Sequence, residues 1–253
     1  MPEVNKKRQA ELNGVYESIK QNHRIPETLT SRLSCPLLLK IPEGWYESDK
    51  RVLVVGQETL GWGFRQGEYY AWPHPDLLAF TDFVAAQDSV LALVDGYAAF
   101  EYARHQPDNY RSPFWQAYRQ IRQAVGNQPD GLDTSVLWTN LFRMALDETS
   151  VVKRGTLEET KVLQSVSASV LQREIEILNP SAVVFYTGPD YDGSLLGTFE
   201  GAMLTVLDGY SKRELAAVAH PALPAKSYRS YHPGYQNRSG KWGITDWICQ
   251  QLS

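Results

Sequence analysis

The 253-residue chain contains only two cysteines, Cys35 and Cys249, which lie far apart and form no C-x-x-C pair. This shortage excludes a disulfide framework, a four-cysteine zinc site and a four-cysteine iron–sulfur cluster, and it favours a reducing, cytoplasmic location. Long apolar runs are also missing, because no stretch approaches the about 18 residues of a membrane span. Residues 1–10 are too polar for a signal peptide, so we expect a cytoplasmic protein that does not cross a membrane.

An excess of positive charge is absent too, because 25 Lys and Arg residues stand against 29 Asp and Glu residues. The chain lacks the global positive field of many strong nucleic-acid binders, so any such binding must be local. With 43% hydrophobic residues, the composition is that of a globular protein whose core needs no disulfide or metal. We expect one domain over residues 1–253, with residues 1–50 as an amino-terminal helical extension.

Predicted strands alternate with predicted helices along the chain. Residues 51–56 include four successive apolar residues, which is typical of a strand covered on both faces. Further strands are predicted at residues 135–140, 182–187, 202–207, 214–219 and 227–231. Helices are predicted at residues 9–20, 76–86, 113–125, 158–178 and 242–252. This order predicts an α/β fold, a three-layer sandwich with a central, mainly parallel sheet that binds ligands at the carboxyl ends of its strands.

The loop that follows the first strand at Gly56 is rich in glycine. Gly56 and Gly61 have the spacing of a phosphate-binding P-loop, but Trp62 and Gly63 stand where a lysine and a hydroxyl residue are needed. The spacing of Gly61, Gly63 and Gly67 is one residue too long for the dinucleotide-binding fingerprint. An unrelated Rossmann-like nucleotide enzyme is therefore an alternative that only incomplete glycine motifs support.

Polar residues follow three of the predicted strands. Glu58 comes after the first strand, Asn140 ends the second, and His232 follows the last. Because the carboxyl ends of parallel strands share one edge of a sheet, we expect these three side chains to meet. A carboxylate, an amide and an imidazole fit a site that holds a base, reads it and helps it leave. His220 also follows a strand and precedes a proline, but the Tyr, Gln, Asn and Arg residues after His232 favour the later histidine.

At these strand ends the sequence resembles the uracil-DNA glycosylase superfamily. Val54-Val-Gly-Gln-Glu58 is similar to the opening of the family's first motif, Gly-Gln-Asp-Pro-Tyr-His or Gly-Glu-x-Pro-Gly. Leu137-Trp-Thr-Asn-Leu141 resembles the family's middle strand, which ends in Asn. His232-Pro-Gly-Tyr235 matches two of four residues in the closing motif, His-Pro-Ser-Pro. The chain departs from the first motif at Glu58 and Thr59, where Asp or another residue and then Pro are usual.

The resemblance covers about residues 51–252 and implies a DNA repair enzyme, a hydrolase that acts in base excision. It would flip uracil or another altered base out of DNA and hydrolyse the N-glycosidic bond, without cofactor or metal. The resemblance gives Glu58 the role of stabilising the cationic sugar and orienting water. It lets Asn140 read the pyrimidine edge and His232 donate to the oxygen that becomes negative.

Further base contacts are expected beside these residues. Gln57 is expected to contribute to base binding. An aromatic ring, either Phe64 or the Tyr69/Tyr70 pair, is expected to stack on the base, where stacking contributes about 1–3 kcal/mol.

DNA is expected to contact residues 211–241, where six Lys and Arg residues stand against one Glu. This basic stretch flanks His232, and sequence-independent attraction to phosphates requires such local positive charge. Within it, Tyr235, Arg238 and Lys241 are predicted to bind DNA, single- or double-stranded.

A non-catalytic member of the same fold, which binds a nucleic acid or nucleotide without cleaving it, is the main alternative. The altered Gly-Gln-Glu-Thr loop, the glycine at position 234 where the family prefers Ser, and the negative net charge favour it. The sequence leaves the base or lesion, the strand preference and the oligomeric state open.

Overall fold

Six strands form one mixed sheet in the computed structural model, which describes residues 3–21, 25–65, 76–102, 111–126 and 135–253. The strands are β1 Val52–Glu58, β2 Val136–Phe142, β3 Ala182–Phe185, β4 Met203–Val206, β5 Leu215–Ala219 and β6 Lys226–Ser230. Their order across the sheet is β2-β1-β3-β6-β5-β4. The first four strands in that order pair in parallel, whereas β5 runs antiparallel to both β6 and β4. The predicted α/β fold with a mainly parallel sheet is confirmed.

Helices surround the sheet. Those described are α1 Glu3–Lys20, α2 Glu27–Thr30, α3 Phe80–Ala85, α4 Ser89–Tyr102, α5 Pro113–Ala124, α6 Val151–Arg154, α7 Leu157–Leu178, α8 Asp192–Thr198, α9 Pro233–Arg238 and α10 Gly243–Leu252. Short 3-10 turns occur at Trp45–Glu47 and Pro189–Tyr191. Across the described residues, none of these helices combines the length and apolar character needed to cross a bilayer.

One predicted helix is shorter than expected. The helix predicted at residues 76–86 begins only at Phe80, because Leu77 pairs through its backbone with Phe64 instead. The Asp82 carboxylate then accepts hydrogen bonds from the backbone N–H groups of Leu78 and Ala79 and starts the helix.

Helix α4, which follows, was missed. Most of its circumference is apolar, so its sequence lacks the periodic alternation that predicts a helix on a surface.

Strand β2 shows that helices cover both faces of the sheet. Trp138 packs edge-on against Trp115 of α5, with ring centroids 4.8 Å apart. The next residue, Thr139, accepts a hydrogen bond from Arg143, which pairs with Glu174 of α7. Successive side chains of a strand point to opposite faces, so α5 and α7 lie on opposite sides of the sheet.

A buried polar network ties the amino-terminal helix to this core. The Tyr16 hydroxyl of α1 donates to Glu174 Oε1 over 2.7 Å and accepts from Leu39 N over 3.0 Å. Tyr16, Arg143 and Glu174 are fully buried. Burial raises the pKa of Glu174, and the Arg143 guanidinium and the Tyr16 hydroxyl oppose that rise. Residues 3–21 and 25–50 therefore supply side chains to the same core as the sheet.

We predict that Glu174→Leu destabilises the protein by about 3–5 kcal/mol, because it leaves the Arg143 charge buried without a partner. Urea unfolding should show that the double variant Glu174→Leu/Arg143→Met recovers a large part of this loss. Free energies of unfolding that simply add in the double variant would contradict the pairing.

Candidate functional site at the carboxyl ends of the strands

A cavity of about 520 Å³ opens at the carboxyl end of the parallel strands. Gln57, Glu58, Asn140 and His232 all line it, so the three side chains expected to meet are brought together. Aromatic rings form much of the remaining wall, from Trp62, Phe100, Phe114, Trp115 and Trp138. Such a mixture of apolar wall and few polar groups is typical of a small-molecule site.

Asn140 lies in this wall because of a close approach to the neighbouring strand. It stands opposite Gly56 in the β1–β2 register. A Cβ atom on Gly56 would lie 2.3 Å from Asn140 Oδ1 and 3.2 Å from Phe114 Cε2. The Asn140 side chain is only 6% exposed, and no hydrogen bond between described residues engages its amide. An amide without a partner in a cavity wall is suited to bind a ligand that both accepts and donates.

His232 precedes helix α9 and is held as a neutral imidazole. Its Nδ1 accepts a hydrogen bond from Gly234 N over 3.1 Å, so the ring proton lies on Nε2. Burial, assisted by the charges of Arg238 and Lys153, lowers the pKa of His232 to about 4. The Phe114 ring lies nearly parallel to the imidazole, with centroids 6.0 Å apart. At neutral pH this histidine is a hydrogen-bond donor without charge.

Glu58 is fixed in the wall by two hydrogen bonds. Its Oε2 accepts from Val151 N at the start of α6 over 2.7 Å, and its Oε1 accepts from the Tyr191 hydroxyl. The Ser150 hydroxyl lies 3.3 Å from the same Tyr191 oxygen. Burial and the bond to Glu58 raise the pKa of Tyr191, which keeps this hydroxyl protonated. Gln57, the adjacent residue, donates from Nε2 to Thr187 O over 2.7 Å.

Phe64, expected to stack on a base, does not line the cavity. Only 3% of it is exposed, and its backbone bridge to Leu77 directs the ring towards α4. A Cβ on Gly96 of that helix would lie 2.5 Å from Phe64 Cε2. The alternative pair Tyr69 and Tyr70 lies outside the described residues.

Phe114 is the aromatic ring that sequence reasoning missed. It stands in the first turn of α5, the helix that runs back across the sheet before β2. The start of such a helix lies near the carboxyl ends of the parallel strands. Pro113 marks that start in the sequence, so the signal was present.

The second candidate histidine lies elsewhere. His220 follows β5, which runs antiparallel to β6, so His220 lies at the opposite end of the strands from His232. Its Nδ1 accepts from Ala222 N, and its Nε2 lies 3.1 Å from Glu200 O. Of the two histidines, only His232 lines the cavity.

The predicted DNA-binding residues have different surroundings. Tyr235 is 44% exposed and packs against the Tyr231 ring, with centroids 4.5 Å apart. Arg238 is exposed at the end of α9. Lys241 forms an ion pair with Glu214, which lowers the pKa of that carboxyl to about 2 and raises the pKa of Lys241.

The six cations of residues 211–241 do not all lie beside His232, and the DNA contacts expected there stay a prediction. Arg229 is fully buried, and its Nε lies 2.8 Å from Asp192 Oδ1. Lys226 begins β6 at the amino end of the strand, away from His232. A lysine from another part of the chain, Lys153 of α6, lines the cavity instead.

No protein-family model matches the chain, and a search of curated proteins finds no match. Within the described ranges, no cluster of His, Cys, Asp and Glu side chains is arranged to hold a metal ion. The side chains that line the cavity supply a fixed carboxylate, an open amide, a neutral imidazole and aromatic rings.

We predict that Gly56→Ala destabilises the protein by about 1–3 kcal/mol, because the new methyl group overlaps Asn140 Oδ1. Adding Asn140→Ala to this variant should recover most of that loss in urea unfolding. A Gly56→Ala protein as stable as the wild type would contradict the close approach.

We predict that His232 titrates near pH 4 in the folded protein, which proton NMR of its ring resonances can measure. A histidine in the unfolded chain has a pKa of about 6.5. The lower pKa of the folded state therefore contributes stability that is fully present above this pH and is lost as the pH falls towards 4. The control His232→Asn keeps a capping side chain and should lose this part of the pH dependence. A midpoint near 6.5 in the folded state would contradict the buried, neutral imidazole.

Proposed function

We propose that this protein is a base-binding hydrolase with a uracil-DNA glycosylase-like fold. More specifically, it takes uracil or a closely related altered base out of DNA into the cavity and hydrolyses the N-glycosidic bond. The observation that carries this proposal is the open amide of Asn140 in the same cavity wall as the neutral donor His232.

Recognition of the base rests on Asn140 and Phe114. One side-chain amide donates and accepts together, which matches the adjacent O4 and N3–H groups of uracil. The Phe114 ring lies in the same wall and offers a stacking face, where one base gains about 1–3 kcal/mol. A cavity of about 520 Å³ falls within the range of about 300–1,000 Å³ that is usual for small-molecule sites.

Bond cleavage uses His232 and Glu58. As the bond between the sugar C1′ and the base nitrogen breaks, its electron pair goes to the base and negative charge grows on the base O2. The Nε2–H of His232 donates to that oxygen, and a preorganised donor of this kind contributes about 3–4 kcal/mol. The Glu58 carboxylate stabilises the positive sugar and orients a water molecule. That water adds to C1′, one of its protons passes to the released base, and an abasic sugar remains.

A binding protein without catalysis is the second candidate, and the contacts of Glu58 favour it. Both carboxylate oxygens already accept hydrogen bonds from protein groups, Val151 N and the Tyr191 hydroxyl. A carboxylate oxygen has two lone pairs, however, so each still has capacity for water. The two candidates therefore differ in whether Glu58 acts on water or only shapes the cavity.

Incubation with a uracil-containing oligonucleotide, single- or double-stranded, followed by alkali, should produce strand breaks at the uracil. We predict that His232→Ala lowers the cleavage rate about 10²–10³-fold, because the donor to the leaving oxygen is lost. Glu58→Gln and Asn140→Ala should also lower it. The matched control His220→Ala, at the opposite end of the strands, should leave the rate unchanged.

Base preference gives an independent readout. Asn140→Asp replaces the side-chain donor by an acceptor, so preference should move from uracil towards cytosine. Salt-sensitive binding without strand breaks would favour the non-catalytic candidate. A protein that neither binds the oligonucleotide nor breaks it would remove DNA from the proposal altogether.

A further inference from the structure

Three of the six cations in residues 211–241 lie within ion-pair distance of an acid. Lys241 pairs with Glu214, and Arg229 pairs with Asp192. Arg213 Nη2 also lies 3.8 Å from Asp190 Oδ1. The other three cations of residues 211–241, Lys212, Lys226 and Arg238, form no ion pair with another of the described residues.

Lys153 and Arg238 differ from these cations. Both are exposed, and neither forms an ion pair with another of the described residues. Lys153 lines the cavity. Arg238 Nη1 lies 3.6 Å from the point where a Cβ on Gly234 would stand, and Gly234 N is bonded to His232 Nδ1.

These two cations come from different parts of the fold. Lys153 belongs to α6, which follows β2, whereas Arg238 ends α9, which follows β6. Strands β1 and β3 lie between β2 and β6 in the sheet. Both nevertheless lie near His232, because Lys153 lines the same cavity, and Arg238 Nη1 and His232 Nδ1 lie 3.6 Å and 3.1 Å from the same Gly234 Cβ point. Both charges also help to lower the pKa of His232.

We propose that Lys153 and Arg238 form a two-cation clamp that binds the phosphate groups flanking the nucleotide whose base enters the cavity. This inference rests on the proposed function and names the residues that hold the DNA backbone at the site. The ligand class is a phosphodiester chain rather than a free base or nucleoside. Two cations without acidic partners beside an uncharged imidazole favour an anion at the cavity mouth.

The clamp explains how a chain of net charge −4 can attract DNA to one position. Lys153 lines the cavity and Arg238 lies beside His232, whereas Arg213, Arg229 and Lys241 are paired with acids. Phosphate groups bound at Lys153 and Arg238 would also reduce the repulsion that these cations exert on a proton on His232. Lys153 and Arg238, which would bind the DNA backbone, thus lie near His232, the neutral donor to the base.

The test is the salt dependence of binding to a single-stranded oligonucleotide with a central 2′-fluoro-2′-deoxyuridine, in which the fluorine slows cleavage. Fluorescence anisotropy at several salt concentrations gives the slope of log K against log salt. We expect Lys153→Gln and Arg238→Gln each to reduce this slope by about 0.7, the value for one phosphate contact on a single strand. The matched control Lys226→Gln, at the amino end of β6, should leave the slope unchanged.

Slopes equal to that of the wild type in both variants would overturn the clamp, and so would a wild-type protein that does not bind the oligonucleotide. Competition by dUMP and by deoxyuridine separates a phosphodiester from a free nucleotide. The clamp predicts that the oligonucleotide competes better than dUMP and that both variants weaken its binding. The clamp would be overturned if dUMP competed as effectively as the oligonucleotide and only one of the two variants weakened binding.

Cleavage is not a readout in this experiment. A protein that binds with the expected slopes but never cuts uracil-containing DNA supports the clamp and contradicts the glycosylase. A protein that cuts, with unchanged slopes in both variants, supports the glycosylase and contradicts the clamp.

Discussion

The close approach of Asn140 to the backbone of Gly56 is the constraint on which the rest of the site depends. Hydrogen bonding between β1 and β2 sets these two residues opposite each other, and a Cβ at position 56 would lie 2.3 Å from Asn140 Oδ1. With no side chain there, the amide lies over the strand and Phe114 packs beside it. Glu58 lies two residues further along β1, so it faces the same side of the sheet. The register of one strand pair thus assembles an amide, an aromatic ring and a carboxylate.

The opposite face of β2 anchors this arrangement. Thr139, next to Asn140, is buried and accepts a hydrogen bond from Arg143, whose charge is balanced by Glu174 of the long helix α7. Tyr16 connects the same carboxylate to α1. A charge pair of this kind contributes little net free energy compared with apolar packing, but its geometry is demanding. Its effect here is to hold the strand that carries Asn140 between two layers of helices.

The strand-end rule predicted much of this site, because parallel strands bring their carboxyl ends to one edge regardless of side-chain detail. Phe114 and Lys153 come from helices rather than from strand ends. Pro113 marks the start of the helix that carries Phe114, but how closely either helix approaches the cavity depends on tertiary packing. Phe64 illustrates the reverse error: its position in the loop suggested a stacking ring, but a backbone bridge turns it into the core. Lys226 and Arg229 both belong to β6, yet Lys226 lies at the amino end of the strand, away from the cavity, and Arg229 is buried. Charge counted along a chain does not give charge on a surface.

The most direct test of the central claim is a crystal structure of the protein with an oligonucleotide that contains 2′-fluoro-2′-deoxyuridine. We expect the uracil ring inside the cavity, its O4 and N3–H within hydrogen-bond distance of the Asn140 amide and its O2 facing His232 Nε2. The Phe114 ring should lie against the face of the base. An oligonucleotide bound with its uracil outside the cavity, or with another ligand group against Asn140, would contradict the account.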